Sequence, residues 1–119
     1  MTHFLNKIAL LAGILTLVQN ATFLTAQEPV DFLRDVKPIL ELNCVSCHRA
    51  EKAKGKLRLD SKAGAFKSDE VIVKGNPDDS LLYVLTTLPA DDDDVMPPQD
   101  STKSYTMPKF EQDILKRWI

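Results

Sequence analysis

Apolar residues recur at helical spacing in three parts of the chain, and each part carries its own start or stop signal. Phe32, Leu33, Val36, Ile39 and Leu40 form the first, the spacing of an amphipathic helix. Pro38 interrupts it and is tolerated in a first turn, where its missing N–H has no partner to lose. With Asp35 as N-cap, the pattern predicts a turn and then a helix from about Val36 into the residues around Cys44. The second part has the sharpest local signal. Asn76 stands as N-cap, Pro77 at the first helical position, and Asp78 and Asp79 in the first turn. Leu81, Leu82, Val84, Leu85 and Leu88 then continue a helix that Pro89 ends. The third runs from about Pro108 to Ile119 and places Phe110, Ile114, Leu115 and Trp118 on one face.

The intervening stretches are less regular. Residues 49–56 are charged, contain Gly55 and read as a loop. Leu57 and Leu59 look extended, and Ser61 caps a short helix through Ala65 and Phe66. Val71, Ile72 and Val73 are a brief β-branched run, and residues 89–108, rich in Pro, Asp and Ser, form a loop. No segment repeats. The expectation is an all-α domain with almost no sheet.

One further apolar run, Ile8 to Val18, follows Lys7 and precedes the small residues Ala21, Thr22, Thr25 and Ala26. That is the pattern of a secretory signal, with an apolar core short for a membrane span. Residues 1–26 are therefore expected to be a signal peptide cut after Ala26, the alternative being an uncleaved N-terminal membrane anchor. Taking 26 residues from 119 leaves a single domain of 93, residues 27–119. A chain of that size buries about two thirds of its unfolded surface and needs a staple to be stable.

Charge excludes one class of partner. Removing residues 1–26 takes away one of 15 basic residues and none of the 17 acidic ones, leaving −3 with histidine neutral. A nucleic-acid binder would be strongly basic. The charge is uneven: Arg49, Lys52, Lys54, Lys56, Arg58, Lys62 and Lys67 stand against only Glu51 and Asp60, and residues 91–94 are four consecutive aspartates. Each run reads as solvated surface, or, for the basic one, as a patch that steers an acidic redox partner. The aspartates lack the alternate spacing of a calcium loop.

The candidate chemistry lies in Cys44-Val45-Ser46-Cys47-His48, the C-x-x-C-H signature of c-type haem attachment. On one helical turn two thiols at that spacing reach the two vinyl groups on one edge of a porphyrin, and the following imidazole is carried under the ring as the proximal iron ligand. These are the chain's two cysteines, so no disulfide scaffold is available to them. His3 lies in the presumed signal segment, leaving His48 the one histidine of residues 27–119. That rules out a bis-histidine haem within one mature chain and disfavours a four-ligand zinc site. The expected sixth ligand is a methionine thioether. Met96, in Met-Pro-Pro, is preferred over Met107, at the start of the last helix; an open or water-bound position is the remaining option.

The segments VDFLRDVKPILELNCVSCH, KLRLDSKAGAFK, VKGNPDDSLLYVL, MPP and ILKRWI, in this order, resemble the planctomycete-type cytochrome c domain, itself similar to class I cytochromes c. The resemblance covers about Val30 to Ile119. It implies a small class I cytochrome c-like fold of about four helices wrapped around one covalently bound haem c. Cys44 and Cys47 would hold the haem, with His48 and Met96 on its iron. The first and last helices would cross, with Trp118 near Phe32 or Val36. It also implies export to the periplasm and haem attachment there by the cytochrome c maturation machinery. Two departures stand out: the last helix opens Thr-Met-Pro-Lys-Phe where the family tends to Thr-Pro-Glu-Glu, and relatives usually continue past the position of Ile119.

The function expected is single-haem electron transfer to and from redox partner proteins, with no substrate bond made or broken and hence no catalytic residues. The alternatives are a haem-based redox or ligand sensor or interaction module of a larger assembly, and an open-site, peroxidase-like haem enzyme. A thiol oxidoreductase using the C-x-x-C pair would need a βαβ context that the pattern does not contain.

Overall fold

The computed structural model of the chain describes residues 27–99 and 105–119. The expected signal peptide, its cleavage point and the alternative anchor lie outside them. A π-helical turn at Phe32–Val36 leads into α1, Lys37–Asn43. Two-residue strands β1, His48–Arg49, and β2, Lys52–Ala53, pair antiparallel and feed a 3-10 turn at Lys54–Lys56. Then come α2, Lys62–Ala65, a 3-10 turn at Pro77–Asp79, α3, Leu81–Val84, and α4, Lys109–Trp118. Among the described residues, four short α-helices with one minimal strand pair match the mostly helical expectation. Among the described residues no helix is long and apolar enough to cross a membrane.

The core is continuous from the first helix to the last. Val36, Ile39 and Leu40 pack with Leu59, Ala65, Val71, Ile72, Leu82, Met107 and Leu115. Val36 and Leu115 are fully buried, so the first and last of the described helical segments meet in the core. The rings of Phe32 and Trp118 lie 5.5 Å apart, tilted, the crossing implied by the family resemblance.

Three local expectations are corrected. Asp35 does not cap α1. Its carboxylate instead accepts from the Asp31 N–H and from the Arg34 guanidinium, which holds it at about pKa 2. The capping side chain is Asp31, one turn earlier, accepting from Arg34 N at 2.8 Å. Pro38 does fall in the first turn of α1. Ser61 caps α2 as expected, accepting from Gly64 N at 3.2 Å.

The helix expected over residues 77–88 is broken at Ser80, which is extended (φ −90°, ψ 115°) and fully buried. Its hydroxyl accepts from Val73 N and reaches Asn76 O, both at 2.9 Å. Leu81 N and Leu82 N bond to Glu70 O and Val71 O at 3.0 and 3.1 Å. Those N–H groups would be unpaired in a first helical turn, so docking onto the 70–73 segment satisfies them. A serine bonding locally to backbone favours such a break. The β-branched run Val71–Val73 thus serves this docking, accepting through Val71 O and donating through Val73 N.

The third correction is in α4. Phe110 is 64% exposed, and Gln112 takes a buried position beside Leu115. The Gln112 amide donates to Thr86 O at 2.7 Å and Met107 O at 3.2 Å, so polar burial there is compensated.

Ser80→Ala leaves the half-buried Val73 N–H without its acceptor and is expected to cost about 1–3 kcal/mol. Leu115→Ala opens a cavity at the helix crossing and is expected to cost about 2–5 kcal/mol. Denaturant midpoints measure both, and a Ser80→Ala midpoint equal to wild type would refute the docking role of that hydroxyl.

Candidate functional site

The five residues Cys44–His48 begin where α1 ends. Cys44 N and Val45 N both bond to Leu40 O, at 2.9 and 3.0 Å, closing the helix. Cys47 N and His48 N then both bond to Cys44 O, at 3.1 and 3.0 Å. The motif is therefore a tight turn at the helix end, and His48 leaves it as the first residue of β1. His48 O accepts from Leu59 N at 2.8 Å, and Cys47 O from Lys54 N at 3.2 Å, so the following loop folds back under the motif.

That loop supplies the contact to the imidazole. His48 Nδ1 lies 3.0 Å from Lys54 O. A carbonyl can only accept, so Nδ1 carries the proton and Nε2 keeps a free lone pair. An anchor of this kind fixes both ring orientation and tautomer in a metal-ligating histidine. The partner is a backbone atom, which sequence reading left unassigned. The turn that presents it is unusual, because Gly55 and Lys56 both have positive φ, 63° and 61°. The glycine was the available signal; the left-handed lysine beside it had none.

Cys44, Cys47 and His48 border a half-open cavity of about 1190 Å³, above the roughly 300–1,000 Å³ usual for small-ligand sites. Its wall is largely apolar, with Leu57, Leu82 and Leu85 among the contributors. Met96 borders the same cavity from the loop after α3, and Met107 is only 2% exposed, within the core cluster. Met96 is held by its own N–H, which bonds to Leu85 O at 2.9 Å, and the peptide bond to Pro97 is cis. Gln99 Nε2 reaches back to Pro97 O at 3.0 Å. Thus the four residues singled out from sequence share one cavity, and the competing methionine is elsewhere.

The two thiols are unbonded to one another. Burial pushes the Cys44 thiol up to about 11, with the nearby Glu111 carboxylate adding to the shift. A redox-active C-x-x-C pair has the opposite electrostatics, a thiol depressed toward thiolate. Glu111 is itself tied to the end of α1 by Asn43 Nδ2 at 3.1 Å.

Charge around the cavity is asymmetric. Lys54, Lys56 and Lys67 border it and are exposed, and among the described residues none of them is in an ion pair. Arg58 and Arg49 pair with Asp60 and Glu51. Asp91–Asp94 are exposed on turns, with Asp92 Oδ1 accepting from Asp94 N at 2.9 Å. Among the described residues no cluster of three or more His, Cys, Asp or Glu side chains is arranged to hold a metal ion by itself.

A small helical fold in which C-x-x-C-H and a loop methionine face one apolar cavity has the donor set of a c-type cytochrome. Residues 44–100 match the family model described as Planctomycete cytochrome C, and over that segment the chain is similar to this family. The match runs from the first cysteine through the Met-Pro-Pro loop, leaving α1 and α4 outside it. No curated protein and no solved structure matches the chain. The donor set fits a covalently attached haem: two thiols, one imidazole with Nε2 free, and one thioether, around a wall that is mostly apolar.

Gly55→Ala puts a Cβ on a left-handed residue and is expected to destabilise the protein by about 1–2 kcal/mol. Lys56→Gly relieves the same penalty and should stabilise it by up to about 1 kcal/mol. Opposite signs for these neighbours in denaturant titrations are the check; equal signs would mean that the turn's geometry is not what limits it.

Proposed function

We propose that the protein is an exported, single-haem electron carrier, with haem c thioether-linked to Cys44 and Cys47, His48 as proximal ligand and Met96 as distal ligand. The observation that carries this reading is the convergence of these four side chains on one cavity, with the His48 ring already held by the Lys54 carbonyl. When bound, the haem would supply a one-electron Fe(III)/Fe(II) couple. The chain's own residues do the rest. The thiols would hold the group's edge, and the Nδ1–H bond to Lys54 O fixes the ring and leaves Nε2 as its one nitrogen free for a metal. A soft thioether favours the ferrous state. The apolar wall excludes water, which favours the less charged form of the centre.

A closed coordination sphere leaves no position for a substrate, which separates a carrier from a peroxidase-like enzyme or a gas sensor. Residues 27–119 also contain no second histidine to act as a distal acid–base group. The raised Cys44 thiol argues against disulfide exchange. Export is supported by the signal-like residues 1–26 and by the family, and haem attachment would fall to the maturation machinery outside the cytoplasmic membrane. Lys54, Lys56 and Lys67 at the cavity's border favour an acidic redox partner, whose association should weaken with ionic strength.

The reading is tested by co-expressing the full chain with a cytochrome c maturation system. Haem staining should survive denaturing electrophoresis in wild type and be lost in the Cys44→Ala, Cys47→Ala double variant. Reduced wild type should bind carbon monoxide only slowly, through rare excursions of the sulfur off the metal. Met96→Ala should lose the methionine–iron absorption band and bind the gas stoichiometrically. A band that persists in Met96→Ala would remove Met96 from the iron, and a folded chain without covalent haem would defeat the cytochrome reading altogether.

A further inference from the structure

Around the end of α3 the backbone carbonyls from Tyr83 to Thr86 are all satisfied, the first two locally by the N–H groups of Thr86 and Thr87 at 3.0 Å. Tyr83 O also accepts from the Thr86 hydroxyl at 2.7 Å, and Val84 O from the Thr87 hydroxyl at 2.8 Å. Leu85 O accepts from Met96 N at 2.9 Å, and Thr86 O from Gln112 Nε2 at 2.7 Å. The last two are adjacent in the chain and reach in different directions. One carries the methionine segment, and the other is held by α4, 26 residues away.

Gln112 is the polar intruder on the buried face of α4, where an apolar residue would have cost less to desolvate. Its amide spans Thr86 O and Met107 O, clamping the end of α3 to the segment that enters α4. Leu85, Thr86, Met96 and Pro97 all border the cavity, and Gln112 does not. It therefore holds the strip that carries Met96 from behind.

We infer that Gln112 is a positioning residue for the Met96 sulfur, acting through the Leu85–Thr86 backbone. The inference rests on the proposal that Met96 is an iron ligand. Without the clamp the buried Thr86 carbonyl loses its donor, the Leu85–Thr86 strip moves toward water, and Met96 moves with it. The consequence is a larger population in which the sulfur is off the metal, with the covalent attachment at Cys44 and Cys47 untouched.

The test uses the haem-loaded protein and the variants Gln112→Leu and Gln112→Glu beside Met96→Ala. Gln112→Leu, shown folded by circular dichroism, should keep covalent haem and lose part of the methionine–iron band. It should also bind carbon monoxide about ten-fold faster or more than wild type, the shift expected for loss of one buried hydrogen bond. Gln112→Glu keeps the side chain's shape and remains informative if Gln112→Leu does not fold. It should show the band at acidic pH, where a protonated carboxyl can donate to Thr86 O, and lose it as the carboxylate forms. A folded Gln112→Leu with wild-type band and gas-binding rate would overturn the inference while leaving Met96 as ligand. A Gln112→Glu band with no pH dependence beyond that of wild type would overturn it equally. A band that survives Met96→Ala would instead overturn the ligand assignment on which the inference stands.

Discussion

The hydrogen bond between the His48 ring and the Lys54 carbonyl is the constraint on which the proximal half of the molecule depends. An imidazole with both nitrogens free can rotate and exchange tautomers; with Nδ1 engaged, only Nε2 is left to bind a metal. Every element from the end of α1 to Leu59 serves that single contact. The Cys44–His48 turn brings the ring out of the helix axis, the two-residue strand pair doubles the chain back, and Gly55 and Lys56 adopt left-handed conformations that turn Lys54 O inward. Leu59 N on His48 O then returns the chain to the core.

The distal half is organised by a different accounting problem. A helix as short as α3 consists almost entirely of ends, so its unpaired carbonyls dominate its surroundings. They are satisfied by the N–H and hydroxyl groups of Thr86 and Thr87, the Met96 N–H and the Gln112 amide. In this way a four-residue helix with little intrinsic stability becomes the junction between the methionine loop and α4. The apolar contact of α4 with the first turn, through Leu115, Val36 and the Phe32–Trp118 pair, supplies the non-directional part of the same junction.

The two halves meet across one cavity whose border is basic and whose wall is apolar. That division suits a carrier. On the proposed reading the low-polarity interior would tune a redox centre, while exposed lysines would act over a Debye length of about 8 Å at physiological salt to orient a partner without binding it permanently. The acid cluster at Asp91–Asp94 stays on exposed turns of the loop that leads to Met96.

Features that depend on a few neighbouring residues were legible in the sequence. The C-x-x-C-H spacing, the Ser61 cap and the place of Pro38 in a first turn all follow from local geometry, and so does the near absence of sheet. The tertiary structure decided what depends on groups far apart in the chain. Ser80 interrupts a well-signalled helix because the 70–73 segment offers acceptors and donors that a local pattern does not contain. Gln112 displaces Phe110 from the inner face of α4 because Thr86 O needs a donor there. The Lys54 carbonyl belongs to the His48 site although a backbone atom carries no residue-type signal. Met96 and Met107 are alike in composition and each precedes a proline. One borders the cavity and the other fills the core because of where α3 and α4 pack, and helix packing is a sum over distant contacts that no single stretch of sequence encodes.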